Sequence, residues 1–144
     1  MIVRTLQDCR KTDRLVESTT WDSCRMLLKD DEVGFSFHIT RLWAGTQTVM
    51  HYQNHYEAVF IISGEGELEN RDDGKRHPLK PGTLYVLDQH DRHTLHAHSD
   101  ITCACVFNPP LNGKEVHDAS GAYPLEAESL RVFPPAIQIH DQDG

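Results

Sequence analysis

The chain is short of basic residues, with 14 Lys and Arg against 22 Asp and Glu and a formal net charge of −8 at pH 7. Nucleic-acid binding requires a basic patch that neutralises phosphates, whereas the Lys and Arg residues here are scattered along the chain. We therefore expect no nucleic-acid partner. The acidity slightly favours a small cationic ligand.

The sequence also lacks a long apolar run. No stretch approaches the roughly 18–20 apolar residues that span a bilayer, and residues 1–14 contain no apolar segment typical of a signal peptide. We therefore expect no membrane segment and a cytoplasmic location.

The four cysteines do not form a recognisable metal motif. Cys103 and Cys105 alternate along a predicted strand, and no C-x-x-C pair accompanies them as a zinc site would require. Free cysteine is among the residue types that are most often buried. We predict that all four are reduced residues of the packed interior.

The 144 residues fit one compact domain. Short segments with period-2 alternation recur from Trp21 to Phe107, with turn signals about every 8–12 residues, a pattern typical of an all-β barrel. Thr5, followed three residues later by Asp8, predicts a short N-terminal helix. Arg71 to Lys75 contains Asp-Gly and predicts a hairpin turn.

For two predicted strands, the sequence does not decide which face points into the barrel. In residues 34–42 the apolar row is Phe35, Phe37 and Ile39, and the polar row is Ser36, His38 and Thr40. A polar row in a barrel faces either the solvent or a polar lumen. Trp21 and Arg25 share a face of an earlier strand, either as a core Trp beside a surface Arg or as neighbours in a pocket.

Histidine is abundant, with ten in the chain and seven of them between His51 and His98. Such clustering suggests metal binding or acid–base chemistry. Gly45, His51, Glu57 and Gly64 have the spacing of the first metal signature of cupins, which they resemble. Cupins are small antiparallel β-barrels with a metal in the mouth. A partial second signature runs from Pro81 to His93.

The match to a generic cupin is incomplete. Gln53 stands where the first signature carries a second histidine, and Asp88 and His90 replace a proline and a glycine of the second signature. Glu57, Tyr85 and His93 can project inward from neighbouring strands. One carboxylate, one phenolate and one imidazole leave open positions on a metal, as a catalytic site requires.

Several separated blocks resemble, in order, those of ectoine synthases. They are MIVR, TDR (12–14), FHITR (37–41), HYQNHYEAVF (51–60), GEGE (64–67), KPG (80–82), YVLDQHDRH (85–93) and ACVFNPPLNGKEVH (104–117). The resemblance covers about residues 1–124, and its LDQHD block is unusual among cupins. We expect a jelly-roll-like cupin barrel over 1–124 and a poorly ordered C-terminal extension over 125–144 that forms a lid or tail.

The resemblance implies a homodimeric, iron-dependent hydro-lyase. Such an enzyme closes N-γ-acetyl-L-2,4-diaminobutyrate into the osmolyte ectoine with loss of water, and the metal acts as a Lewis acid on the acetamide carbonyl. The implied ligands of Fe²⁺ are Glu57, Tyr85 and His93, although these groups also suit other divalent metals.

The same resemblance implies a substrate pocket. Its residues are Trp21, Arg25, Thr40, Tyr52, Phe107, Glu115 and His117. We add His55, which is close to the site, and Leu87, which shares a strand face with Tyr85. We expect Arg25 to bind the substrate carboxylate, and we expect Tyr52, Glu115 and His117 to be the candidates for proton transfer.

Three matters stay open at this point. If Tyr52 points inward, strand alternation sends His51 outward, and we favour a structural role for His51 over a bulge. A cupin that binds a small solute without turning it over also fits the barrel and the metal. An iron-dependent dioxygenase is the other alternative, although it usually employs two histidines and one carboxylate.

Overall fold

A computed structural model describes residues 1–52 and 54–113. They form a helix α1 (Leu6–Cys9), a 3₁₀ turn (Lys29–Asp31) and ten strands. The strands are β1 (Leu15–Glu17), β2 (Trp21–Leu27), β3 (Ser36–Leu42), β4 (Gln47–His51), β5 (Tyr56–Ser63), β6 (Gly66–Asn70), β7 (Arg76–Leu79), β8 (Leu84–Leu87), β9 (Arg92–Ala97) and β10 (Ile101–Asn108).

The strands pair into two antiparallel sheets. The larger has the order β1-β2-β3-β10-β5-β8, and the smaller has the order β4-β9-β6-β7. Buried side chains of both sheets meet in a single hydrophobic cluster, which includes Leu42 and Val59 from the larger sheet and Met50 and Leu95 from the smaller. The predicted all-β architecture is confirmed.

The short N-terminal helix is capped as predicted. Thr5 is its N-cap, and the Thr5 side chain accepts a hydrogen bond of 3.1 Å from the backbone N–H of Asp8. No helix in the described parts of the chain has the length and apolarity needed to cross a membrane.

An ion pair ties the N-terminal segment to the turn after β2. Arg4 donates from Nη2 to Oδ1 of Asp31 at 2.7 Å and from Nη1 to Oδ2 at 3.0 Å. Oδ2 also accepts a hydrogen bond of 2.9 Å from the backbone N–H of Leu28. The Arg4 guanidinium, which is hydrogen-bonded to the carboxylate, lowers the pKa of Asp31 to about 2.

The polar row of β3 faces the interior. Ser36, His38 and Thr40 are fully buried, whereas Phe37 and Ile39 lie on the opposite side of the strand and are only partly covered. The barrel therefore has a polar lumen.

The outer side of the larger sheet is correspondingly apolar. Cross-strand pairs continue in two rows over β3, β10, β5 and β8. The rows are Ile39, Ala104, Phe60 and Leu84, and Phe37, Val106, Ala58 and Val86. Phe60, Leu84 and Val86 are 46%, 62% and 48% exposed. We call these two rows the outer apolar face.

Candidate metal centre and substrate pocket

Glu57 is buried in the polar lumen. Alternation along β5 buries Glu57, Val59 and Ile61, as predicted. The direct partners of Glu57 in the neighbouring strands are Phe107 on β10 and Leu87 on β8. Burial, together with the charge and hydrogen bond of Cys105, raises the pKa of Glu57 well above its usual value. Without a cation, this environment therefore favours the neutral carboxyl group over the carboxylate.

Tyr85 lies on the same side of the larger sheet as Glu57. Val59 pairs with Tyr85, and Glu57 pairs with Leu87, so Tyr85 is the diagonal neighbour of Glu57. Diagonal neighbours lie within reach of aromatic and long side chains. Burial and the nearby charge of Glu57 raise the pKa of Tyr85 well above its usual value.

His93 comes from β9 of the smaller sheet, and its environment fixes its tautomer. Nδ1 lies 3.0 Å from the carbonyl oxygen of Asp91. Because a carbonyl can only accept, Nδ1 carries the proton and Nε2 keeps a lone pair. Burial lowers the pKa of His93 to about 4. The imidazole is therefore neutral at pH 7, which is the form that binds metals.

Two aromatic rings connect the ligand candidates of the two sheets. The ring of Tyr52 lies 5.5 Å from the ring of His93 and makes an edge contact with Phe107 at 5.4 Å between ring centroids. Phe107 is the strand partner of Glu57. Packing of the sheets thus brings His93 and Glu57 to the same region of the lumen.

The donor atoms of this region fit a divalent cation. Oε2 of Glu57 and Nε2 of His93 are buried, and neither has a hydrogen-bond partner within the described chain. Buried polar atoms nearly always have partners, and a carboxylate oxygen and an imidazole nitrogen are common metal donors. Among residues 1–52 and 54–113, no three His, Cys, Asp or Glu side chains form a metal-binding group. A third ligand from the described residues would therefore be of another type, and Tyr85, the diagonal neighbour of Glu57, is the candidate.

Arg25 is an interior residue. It is fully buried, its guanidinium carbon lies 6.0 Å from the ring of Trp21, and it donates a hydrogen bond of 2.8 Å to the carbonyl oxygen of Gly113. The alternative of a surface arginine is therefore wrong. Thr40, also fully buried, donates to the hydroxyl of Ser23 at 3.2 Å.

Tyr52 and His51 lie on opposite sides of the chain at the end of β4. Tyr52 is fully buried and donates from its hydroxyl to the sulfur of Met50 at 3.0 Å. His51 is half-buried and pairs with Arg92 across the strands. Burial lowers the pKa of His51, and a hydrogen bond with the backbone of His90 opposes that effect. His51 thus lies outside the lumen.

The lumen brings together most of the predicted site residues. Trp21, Arg25, Thr40, Tyr52, His55, Glu57, Leu87, His93 and Phe107 are buried, and Tyr85 is half-buried. His55 contacts Phe107 edge-on at 6.0 Å between ring centroids. Glu115 and His117 lie outside the described residues, as does the extension 125–144.

Sequence reasoning missed two residues of this lumen. His38 is fully buried, and its ring lies 5.1 Å from that of Phe107. Cys105 was predicted only as a packing residue, yet its hydrogen bond affects Glu57. It is a free thiol, as are the other three cysteines. The alternation of Ser36, His38 and Thr40 was the signal for His38, because it placed His38 on the face of a predicted pocket residue.

A cavity of about 340 Å³ reaches the ligand candidates from one side of the barrel. It lies where β8 of the larger sheet approaches β6 and β7 of the smaller sheet. Tyr85 and His93 contribute to its wall, together with Leu68, Asn70, His77, Leu79, Thr83, Leu84, Val86, Leu87, Asp88 and Asp91. This volume suits a small molecule.

Comparisons with known proteins agree with this geometry. The L-ectoine synthase of Hahella chejuensis is 64% identical over 130 residues, which cover 90% of this chain and 98% of that protein. The crystal structure of ectoine synthase from P. lautus superposes with a TM-score of 0.79 at 48% identity, covering 84% of this chain and 87% of the other.

More distant structures share the fold alone. A cupin domain of a transcriptional regulator from Enterobacter cloacae superposes with a TM-score of 0.53 at 20% identity, covering 64% of this chain and 99% of that domain. The predicted cupin fold is thereby confirmed. The family model described as ectoine synthase matches residues 1–127. The chain therefore belongs to the ectoine synthase family, which is a family of lyases.

Proposed function

We propose that the chain catalyses the cyclising dehydration of N-γ-acetyl-L-2,4-diaminobutyrate to ectoine. The observation that carries the proposal is the buried, polar lumen in which Glu57 Oε2 and His93 Nε2 lack protein partners among the described residues. Family membership supports the same reaction, since the relatives are L-ectoine synthases.

Glu57, Tyr85 and His93 would hold a divalent cation, Fe²⁺ by resemblance. When bound, such an ion supplies Lewis-acid polarisation of the acetamide carbonyl of the substrate. The protein side of this arrangement is pre-set: the backbone of Asp91 orients His93, and the strand pairing of β5 with β8 places Tyr85 beside Glu57.

We expect Arg25, Trp21 and Phe107 to position the substrate in the lumen. The guanidinium of Arg25 is a suitable partner for the substrate carboxylate because its planar N–H groups match the two oxygens. Trp21 and Phe107 are buried apolar walls, and they exclude water from a reaction that expels water. Ring closure joins two groups of one molecule, so correct orientation supplies much of the rate.

The reaction moves two protons from the α-amino nitrogen to the departing oxygen. The nitrogen forms a bond to the acetamide carbon, and the carbonyl oxygen leaves as water. Among the residues that the structure describes, Tyr52 is the candidate for proton transfer. Its hydroxyl lies within the lumen, and its ring lies 5.5 Å from the ring of His93. Glu115 and His117 remain candidates beyond the described residues.

The direct test is to load the purified chain with iron, add N-γ-acetyl-L-2,4-diaminobutyrate and follow ectoine by chromatography. We expect product well above the metal-free control. No product above that control would refute the cyclase. If oxygen consumption accompanied loss of the substrate instead, a dioxygenase would be indicated. Binding without turnover would indicate a solute-binding protein.

The metal ligands are tested by Glu57→Gln, which keeps the shape of the side chain. We expect it to lose bound iron and at least about a hundredfold in kcat. The matched control is Glu65→Gln at an exposed position, which should retain both. A Glu57→Gln chain that kept its iron and its activity would remove the ligand assignment.

We further propose that a second copy of the chain covers the outer apolar face. Soluble monomers rarely leave large contiguous apolar surfaces exposed, and the two rows of this face run unbroken over four strands. The resemblance to ectoine synthases implies a homodimer, without saying which surface forms its interface. A two-fold interface needs a patch that complements itself, and an apolar sheet face meets that requirement.

A further inference from the structure

His38 is a fully buried histidine whose ring nitrogens form no hydrogen bond with the described residues. It lies on β3 between Arg25 of β2 and Cys105 of β10, which are its direct strand partners. Its exposure is 0%. Neither Nδ1 nor Nε2 has a hydrogen-bond partner among residues 1–52 and 54–113.

An imidazole in this state is unfavourable in the absence of a ligand. Large buried polar groups are nearly always hydrogen-bonded, and an unmade bond carries the full cost of removing the group from water. An apolar side chain of similar size would fill the same space without that cost. The imidazole therefore indicates binding rather than packing.

The environment also sets the protonation state of His38. Burial, reinforced by the positive charge of Arg25 and by His55, lowers the pKa of His38 well below its usual value. A neutral imidazole has one nitrogen that donates and one that accepts. His38 can therefore accept a hydrogen bond from an amino group, which neither Arg25 nor a protonated histidine can do.

We propose that His38 binds the α-amino group of the substrate whose carboxylate is held by Arg25. This inference rests on the proposed function. Directly opposed residues on antiparallel strands have Cβ atoms about 4.5–5.5 Å apart, and the amino and carboxylate groups are attached to one carbon. A side-chain pair of this kind matches the two groups of an α-amino acid.

This contact also gives His38 a role in orientation. The α-amino nitrogen is the atom that forms the new bond during ring closure. A hydrogen bond to His38 on one wall restricts where that nitrogen lies relative to the acetamide. His38 is thus a residue that binds and orients the substrate, beyond the pocket implied by the family resemblance.

The test compares the substrate with 4-acetamidobutyrate, which differs from it only in lacking the α-amino group. In the iron-loaded wild-type chain, KM is measured for the substrate and an inhibition constant for the analogue. We expect the substrate to be preferred by roughly ten- to hundredfold. In His38→Leu this preference should fall to within about threefold of unity, with the analogue bound as before.

Measurements of Tm distinguish a binding role of His38 from a purely structural role. His38→Leu should keep or raise Tm, because an apolar side chain replaces unsatisfied nitrogens. His38→Asn, which retains a donor and an acceptor, should recover part of the preference, and His98→Gln at an exposed position should behave as wild type. An unchanged preference in His38→Leu would overturn the proposal. So would equal loss of both compounds together with a Tm lowered by more than about 5 °C.

Failure of the proposed function is visible separately. If wild type binds the substrate but forms no ectoine, the cyclase proposal fails, and calorimetric dissociation constants for the two compounds replace KM and the inhibition constant. If wild type forms ectoine and His38→Leu retains the full preference, only the assignment of His38 fails.

Discussion

Removing the charge of Asp31 should destabilise the fold by a predictable amount. Asp31 has a pKa of about 2 in the folded chain against an ordinary 3.8, mainly because Arg4 is hydrogen-bonded to it. At 1.36 kcal/mol per unit, this difference is worth about 2 kcal/mol at pH 7. The side chain of Arg4 is 27% exposed and that of Asp31 is 9% exposed, so screening lowers our expectation to about 1–2 kcal/mol.

The pH dependence has a definite sign. The pKa of Asp31 is lowered on folding, so its contribution is fully present above about pH 4 and is lost as pH falls through about 2. Urea unfolding of wild type and Asp31→Asn should therefore differ by about 1–2 kcal/mol at pH 7 and by roughly half of that at pH 3. The difference between the unfolding free energies of the two chains cancels the contribution of every other carboxylate.

The matched control is Asp30→Asn, at an exposed position of the same turn. It should change the free energy of unfolding by less than about 0.5 kcal/mol. A gap for Asp31→Asn that stays constant between pH 7 and pH 3 would show that the ion pair with Arg4 is not its source. The absence of any gap at pH 7 would refute the value worked out from the pKa.

Three further outcomes are expected. Gly64→Ala should lower the free energy of unfolding by at least about 3 kcal/mol in urea titration, since Gly64 has a φ of +91° and an added Cβ would lie 2.1 Å from the carbonyl oxygen of Asp100; wild-type stability would contradict this close approach. Phe60→Glu on the outer apolar face should yield monomers in light scattering whereas Val49→Glu, 50% exposed on the smaller sheet, should not, and a dimeric Phe60→Glu would place the interface elsewhere. Chelation should lower Tm by about 10 °C in wild type and not in Glu57→Gln, since metal at a thousandfold excess over Kd contributes about 4 kcal/mol; equal shifts in both would refute binding at Glu57.

The local features of the fold could be predicted because they depend on neighbours in sequence. The helix cap at Thr5 and the hairpin turn at residues 71–75 are confirmed, the turn by a hydrogen bond of 2.8 Å from Gly74 N–H to the carbonyl oxygen of Asn70. Alternation also placed Tyr52 and His51 on opposite sides of the chain. Each of these rests on backbone geometry over a few residues.

The direction of the lumen could not be predicted from alternation. Period 2 shows that His38 and Ile39 lie on opposite faces of β3, but it does not say which face is inside. The usual rule places the apolar row in the core, and β3 reverses it because its lumen is polar. The same uncertainty kept His38 out of the predicted site.

Contacts between residues of the two sheets could not be predicted from the sequence either. Tyr52, which contacts His93 on the side of the smaller sheet, meets Phe107 of the larger sheet through packing of the two sheets, and no local pattern encodes that contact. The sequence pattern named Glu57, Tyr85 and His93 only as side chains that can project inward, and the family resemblance was needed to assign them as ligands. The iron, the homodimer, the cytoplasmic location, the domain limits and the roles of individual site residues stay predictions.

The position of β10 governs when this site can come into existence. β10 is the last strand of the described chain, yet it lies between β3 and β5 in the larger sheet. While residues 101–108 are still within the ribosome, β3 and β5 have no shared neighbour, and Glu57 lacks its partner Phe107. Such long-range pairing makes folding slow. We therefore expect the lumen around Glu57 to be assembled only after the whole barrel has been synthesised, so that a nascent chain lacks the arrangement that we propose to hold a cation.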